Sequence, residues 1–496
     1  MPRLAFSPVL LAALLAIAAA GPVGPAAARA GDEDFIARLD AELPGIMERL
    51  GVPGLSVALM EDGALSWSKG YGLADAATAT PMKAGTIFQF ASVSKAVTAL
   101  CVLRLVDEGL LDLDAPVETY LTRWHLPPSE FDADGVTVRR LLSHTAGLSL
   151  HGYPGLDPAR PLPDLEASLS GDTGGAGDVR LVRPPGEAFM YSGGGYTLLT
   201  LLVEEVTGRD FCEVADEKVL RPLGMTSSGY CLAPGGSPRM ATAHDARGAA
   251  LPWYRFGGIG CCGLASTTPD LARLLAALVP GPDGEAPGRG VLAPETVALM
   301  LEPQAPLTEG VVRLAGDGVG LGWFVETLPG GERLVSHGGD NRGWHTLVAL
   351  LPEQRAGLVV AANGDAGMML RNTHLLRWWL ESRGAPLPRL CRVERAVTRG
   401  AVALTAALGL VFLLAGWRLV GAFLGGRRRW GWIRRPGLLL GKSLLAAAAV
   451  VLVGVWWQAL YPIQGILSPF TAPWLAAAVT LCGLVMFTAA VSRKAR

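Results

Sequence analysis

The chain has 496 residues, a formal net charge of −1, and 50% apolar against 18% charged residues. That length holds one large domain or two ordinary ones with additions, and the near-neutral balance gives no electrostatic case for nucleic acid as a partner. The cysteines and histidines show no CxxC pair and no histidine-rich spacing, so neither a metal site nor a cofactor is expected.

Met1-Pro2-Arg3 followed by Leu4 to Ala20 has the basic start and apolar run of a secretory signal peptide over residues 1–30. Ala28-Arg29-Ala30 before Gly31 fits its cleavage site. Residues 31–383 are the expected soluble domain. A helix is predicted around Asp34 to Leu50. Leu55–Met60 and Ala64–Lys69, joined around Asp62-Gly63, read as a hairpin. From Ser92 the apolar residues Val93, Val97, Leu100, Val102, Leu103, Leu105 and Val106 predict a helix buried nearly all round, stopped by Gly109. Glycine and proline then concentrate between Leu148 and Gly186, before a helix from about Tyr196 to Thr207 that ends at Gly208. Strands are predicted at Leu334–Ser336, His345–Leu351 and Gly357–Ala362, with a closing helix around Met368 to Glu381 that packs Trp378 and Trp379. Strands at both ends with helices between them imply an α+β fold: a sheet assembled from distant segments, with a helical insertion.

Residues 384–400 read as a juxtamembrane linker and 401–496 as a three-span membrane anchor. Ala401–Gly416, Ser443–Leu460 and Pro473–Val491 are apolar stretches near bilayer-spanning length. Arg427, Arg428, Arg429, Arg434 and Arg435 follow the first span, and Arg493, Lys494 and Arg496 follow the third. The positive-inside rule puts both clusters in the cytoplasm, and Trp456, Trp457 and Tyr461 at the outer interface. The expected location is the bacterial inner membrane, multi-pass, with the catalytic domain on the periplasmic side. Arg389, Arg392, Arg395 and Arg399 lie before the first span, on the outer side, and oppose this topology. Export would permit disulfides among Cys101, Cys212, Cys231, Cys261, Cys262 and Cys391, with the pairing left open and Cys101 expected to be a core thiol.

The chemistry concentrates at Ser92 and Lys95. Positions i and i+3 share a helix face, so the amine can reach the hydroxyl and take its proton. A helix N-terminus at Ser92 would depress the Lys95 pKa and stabilise an oxyanion. The same S-x-x-K spacing recurs at Ser66 and Lys69. On a strand those side chains point to opposite faces and cannot cooperate.

With that helix placed, a series of short motifs falls into order. They are Gly54-Leu55-Ser56-Val57-Ala58, Gly70-Tyr71-Gly72, Ser92-Val93-Ser94-Lys95, Leu141-Leu142-Ser143-His144-Thr145-Ala146-Gly147-Leu148, Pro185-Gly186-Glu187, Tyr191-Ser192, Gly195-Tyr196, Pro222-Leu223-Gly224-Met225, His337-Gly338-Gly339 and Asn363. In this order the chain resembles the serine β-lactamase-related family, which holds class C β-lactamases, D-alanyl-D-alanine carboxypeptidases, penicillin-binding-protein-like hydrolases and esterases of the same fold. The resemblance implies a β-lactamase/transpeptidase-like antiparallel sheet flanked by helices. It also implies an acyl-enzyme on Ser92, with Lys95 as base or positioner and Tyr191 as proton relay to the leaving group. His337 would stand in the third motif as a protonated neighbour that helps lower the Tyr191 pKa, or as an anion binder. Gly338 and Gly339 would let substrate approach the strand edge, and the N–H groups of Ser92 and Asp340 would form the oxyanion hole.

Two departures matter. Gly193 stands where the family's Tyr-x-Asn motif has asparagine, so the usual clamp on the substrate amide is missing. His337 stands where lysine is usual, which weakens a permanent site for a substrate carboxylate. Both shift weight from a β-lactamase or D-Ala-D-Ala carboxypeptidase toward an esterase or amidase acting on a small-molecule, peptide or cell-wall-type substrate. The rival readings are a membrane receptor for cell-wall fragments and an α/β-type hydrolase, the latter excluded by the lack of G-x-S-x-G. His144 is expected to be structural, and His125, His151, His244, His345 and His374 show no partner pattern.

Overall fold

Asp62-Gly63 closes the first hairpin with φ values of +51° and +75°, the left-handed pair that a two-residue turn between twisted strands requires. The computed structural model describes residues 32–172, 177–233, 235–308 and 310–426, with backbone also at 428–430 and 492–494. The predicted signal peptide and the second and third spans lie outside the described residues. In chain order the principal strands are β1 (Gly54–Glu61), β2 (Ala64–Asp75), β3 (Thr80–Pro81), β4 (Ala305–Pro306), β5 (Gly318–Val319), β6 (Phe324–Thr327), β7 (Arg333–Asn341), β8 (Trp344–Leu351) and β9 (Ala356–Ala362). Among the described residues they form one antiparallel sheet ordered β3-β2-β1-β9-β8-β7-β6-β5-β4. The first hairpin thus joins the last strand, with Val57 opposite both Lys69 and Val360. The expected α+β sheet built from distant segments is the observed one.

The sheet divides the core in two because successive side chains on a strand face opposite ways. Along β1, Ala58 and Met60 join one cluster, while Leu55, Val57 and Leu59 join the other. The first cluster packs against α2 (Ser94–Asp107), α3 (Gly193–Thr207) and α4 (Thr268–Ala277), the helical side of the molecule. On the second face lies α1 (Asp32–Leu50), which buries Phe35, Leu39 and Leu43 at helical spacing. Beside it a closing helix runs through Gly367–Met369, a wide π segment at Leu370–Leu376 and Arg377–Ser382, burying Trp378 and Trp379.

Two boundaries differ from the sequence pattern. Helix α3 begins at Gly193, three residues earlier than predicted, because Ser192 caps it by accepting the Gly195 N–H at 2.9 Å. Three glycines make a poor first turn, yet a Cβ on Gly194 would lie 2.5 Å from Val179. Strand β7 runs on through His337-Gly338-Gly339, where glycine masked the strand signal.

The first predicted span lies inside α5 (Arg389–Leu424), which is long and apolar enough to cross a membrane, by length and composition. The predicted linker segment is helical from Arg389 onward and docked on the domain. The Arg389 N–H donates to Glu326 Oε1 at 2.6 Å, and its guanidinium pairs with Asp317 at 2.5 Å.

Candidate active site

Ser92 sits in a 3₁₀ turn, Ala91–Val93, that feeds α2. Ala91 has φ +47°, a left-handed conformation that a side chain disfavours and that clusters at functional sites. The turn is held by Ser94, whose Oγ donates to Ala91 O at 2.5 Å and accepts the Leu264 N–H at 2.9 Å. One residue on, Lys95 is fully buried. Its ammonium donates to Ser92 Oγ at 3.2 Å and to the Cys261 carbonyl at 2.8 Å. The amine therefore has a second anchor that fixes it beside the hydroxyl.

Tyr191 completes this side. Its ring lies 4.9 Å from Lys95 Nζ and stacks on His144 at 4.3 Å. His144 is buried, with Nδ1 accepting the Ser192 N–H at 3.1 Å. Burial first, then the charge on Lys95, keep it neutral. It supports the tyrosine from behind. His151, from the glycine-rich loop, packs its ring 4.8 Å from Tyr191 on another side.

A cavity of about 520 Å³ opens here, with Ser92, Tyr191, His151, His337, Gly338 and Asp340 in its wall alongside Phe189, Phe324, Leu314 and Arg371. Strand β7 supplies the far wall. Gly339 is pressed against the turn that carries Ser92: a Cβ there would lie 2.2 Å from Phe90 O and 2.4 Å from Thr346 Oγ1. Its missing side chain makes room for the protein's own backbone, a correction to the expectation that it makes room for substrate. Asp340 stands opposite His345 in the ladder, and its carboxylate takes Arg371 at 2.8 Å and His345 Nδ1 at 2.6 Å. Burial opposes that charge, yet the Arg371 guanidinium and then His345 hold the carboxyl well below its usual range. Arg371 also donates to Gly339 O at 2.8 Å and Thr346 O at 2.5 Å, so this one buried cation binds the strand edge together.

Three expectations change, two of them electrostatic. His337 is buried and its Nδ1 lies 2.8 Å from Gly338 O. Burial, then the Lys95 charge, push its pKa down to about 3, so it is neutral at neutral pH and not the protonated neighbour expected for Tyr191. Burial pushes Lys95 down too, but the negative charges of Tyr191, Cys261 and Cys262, when ionised, outweigh it and raise the pKa. The expected depressed lysine is therefore replaced by one held as an ammonium. Gly193, finally, is absent from the cavity wall. Its N–H is donated to His151 O at 3.0 Å, and a Cβ on it would meet that oxygen at 2.9 Å and Gly152 Cα at 3.1 Å. The His151–Gly152 backbone fills the space that a longer side chain at 193 would need.

The structure thus brings Ser92, Lys95, Tyr191, His337, Gly338 and Asp340 to one cavity and leaves Gly193 behind it. Sequence reading missed His151, Arg371 and the Cys261 carbonyl. The last two are donors and acceptors within buried elements and carry no local motif.

Comparison with known proteins gives one family. The family model Beta-lactamase matches residues 39–380. The chain is similar to Protein flp of Staphylococcus aureus (strain N315), 24% identical over 337 residues, which are 66% of this chain and 62% of that protein. It is likewise similar to Putative beta-lactamase-like 1 of Homo sapiens, 28% identical over 346 residues, 67% of this chain and 65% of that one. In both cases the match spans less than two thirds of the relative's length. Among solved structures, the octameric penicillin-binding protein homologue from Pyrococcus abyssi superposes with a TM-score of 0.55 at 27% identity, covering 66% of this chain and 74% of that one.

Proposed function

The chain belongs to the beta-lactamase family of serine hydrolases, and from that premise we propose that it hydrolyses a neutral ester or amide through an acyl-enzyme on Ser92, outside the cytoplasm and anchored in the membrane. The observation that carries this reading is the doubly anchored Lys95, 3.2 Å from Ser92 Oγ and 2.8 Å from Cys261 O. A serine hydroxyl becomes a nucleophile when a positioned base takes its proton. The Lys95 ammonium holds Ser92 Oγ in position, and Tyr191 relays the hydroxyl proton to the leaving group. The Ser92 N–H and an N–H of β7 near Asp340 would receive the oxyanion, a role that needs no side chain.

The cavity favours an uncharged substrate. His337 is neutral, and the Arg371 guanidinium is already engaged by Gly339 O, Thr346 O and Asp340. Neither offers a free positive charge to a substrate carboxylate, which weighs against D-Ala-D-Ala and β-lactams. Phe189, Phe324, Leu314 and Leu347 present apolar surface to the acyl or leaving group.

Two observations support the membrane topology. Of the four arginines that oppose it, Arg389 is paired with Asp317 and Arg392 lies 4.0 Å from Glu326, so half of them are engaged by the domain. The backbone at Arg428–Trp430 also pairs with that at Ser492–Lys494, and this proximity of the two basic segments supports the reading in which two spans lie between them.

The test is labelling of the detergent-solubilised full chain with a fluorophosphonate and with a labelled penicillin, beside turnover of short-chain esters and D-amino peptides. Fluorophosphonate labelling and ester turnover, both lost in Ser92→Ala, are expected. Labelling that persists in that variant would refute the nucleophile assignment, and penicillin labelling would return weight to a penicillin-binding role.

A further inference from the structure

Four cysteines among the described residues are free, and two of them, Cys261 and Cys262, are adjacent in a short helix, Ile259–Cys262. Both are buried, with sulfurs 3.2 Å apart. The peptide that joins them carries the Cys261 carbonyl, the oxygen that anchors Lys95. Neighbouring residues across a trans peptide have Cα atoms about 3.8 Å apart, whereas a disulfide ordinarily spans about 4.4–6.8 Å. Joining these two sulfurs therefore twists the very peptide that grips the lysine.

We propose that Cys261 and Cys262 are a site of reversible oxidation, at which a hydroperoxide closes a vicinal disulfide, turns the Cys261 carbonyl away from Lys95 and switches the hydrolase off. Its effect on activity rests on the Ser92–Lys95 reading above; formation of the disulfide does not. In the first step a Cys261 thiolate attacks one peroxide oxygen, the O–O bond breaks, and a sulfenic acid and hydroxide result. Cys262 sulfur then attacks Cys261 sulfur, the S–S bond forms, and the S–O bond breaks with loss of hydroxide. With the two thiol protons the balance is two thiols and one hydrogen peroxide to one disulfide and two waters.

The roles of the two sulfurs are set by their surroundings. Burial resists ionisation of both, but the Cys262 hydrogen bond and then the Lys95 charge lower the Cys261 thiol, while Cys262 is raised. Cys261 is the attacking thiol and Cys262 the resolving one. A second cavity, of about 260 Å³, has Ile259 and Gly263 in its wall, so it ends at the two residues that flank this short turn. The chain also carries a disulfide, Cys212–Cys231, which belongs with an oxidising compartment.

The test treats the detergent-solubilised full chain with hydrogen peroxide, alkylates the remaining thiols and maps the peptide containing residues 261 and 262 by mass, with ester turnover measured in parallel. The expected result is a peptide lacking two hydrogens and activity lower by about 10²-fold, the scale of a misplaced catalytic group, both restored by dithiothreitol. Cys262→Ser, or Cys262→Ala should serine disturb the fold, is expected to keep basal activity and lose the reversible inhibition. A peptide that stays reduced, or a disulfide that forms with activity unchanged, would overturn the proposal. A chain inert before oxidation overturns the hydrolase reading instead, and the mass map alone then decides the oxidation site.

Discussion

The same four-residue pattern, serine followed three positions later by lysine, occurs at Ser92–Lys95 and at Ser66–Lys69, and the molecule treats the two copies in opposite ways. At the first, a 3₁₀ turn running into a helix brings the amine to 3.2 Å from the hydroxyl, and burial removes water from the amine. At the second, strand β2 separates them. Ser66 donates to Leu59 O at 3.1 Å, and Lys69 pairs with Asp40 at 2.7 Å with nearly half its side chain exposed. The difference lies in three additions around the first copy: backbone geometry, a second anchor for the amine at Cys261 O, and a low-dielectric site where that hydrogen bond is stronger. Removing them one at a time measures what each contributes.

The largest effect is expected at the nucleophile. Ser92→Ala should lower ester turnover by at least about a thousandfold, read by initial rates with the same fluorogenic ester, while Ser66→Ala changes it less than about twofold, as a surface substitution should. Next comes the amine. Lys95→Ala should cost about 10²–10⁴-fold in kcat, the range for disrupted acid–base catalysis; a smaller loss would mean that Tyr191 acts without it.

Much of this contrast was legible before any coordinates. The duplicate pattern could be separated because alternation around Asp62-Gly63 marks a strand and Val93 to Val106 marks a helix. The late strands and the closing helix are local patterns too, and they sit where the sequence puts them. What stayed hidden was non-local. The anchor at Cys261 is a backbone carbonyl 166 positions from Lys95, and no side-chain motif advertises it. Gly339 read as space for substrate, when it is space for Phe90 O, because its neighbour comes from the opposite end of the domain. The charge on His337 could not be read either, since protonation follows burial and burial of a motif histidine is set by the fold around it.

Gly193 tests whether the missing asparagine can be put back. Gly193→Asn restores the family residue but places a Cβ 2.9 Å from His151 O. The expected outcome is a loss of about 1–3 kcal/mol in unfolding free energy, as for other overpacked sites, with no penicillin labelling gained. Labelling gained at unchanged stability would mean that the His151 loop yields, and that the glycine alone sets specificity.

Burial at the first copy should also appear in the pH dependence of stability. The folded His337 has its pKa pushed down to about 3, against roughly 6.5 when unfolded. The unfolded chain therefore binds the extra proton between those values. Stability from this residue is present above about pH 6.5 and is lost as pH falls toward 3, by about 2 kcal/mol between pH 7 and pH 5. His337→Asn, whose amide can still reach Gly338 O, should flatten that fall, measured as the shift in urea midpoint between the two pH values. An unchanged slope would place the acid sensitivity at His144, which is buried and depressed as well.

The smallest effect belongs to the second copy, and it is the sharpest control. Lys69 is 46% exposed in its ion pair with Asp40, which is equally exposed. Screened by water, such a pair contributes only about 0–1 kcal/mol. The Asp40 carboxyl, lowered by its hydrogen bonds to Lys69 and Tyr71, keeps the Tyr71 partner at 2.7 Å when the lysine is gone. Lys69→Ala should therefore leave turnover and its pH profile unaltered and move the urea midpoint barely or not at all. An activity loss comparable to that of Lys95→Ala would mean that the spacing, and not the anchored and buried geometry at Ser92, carries the chemistry.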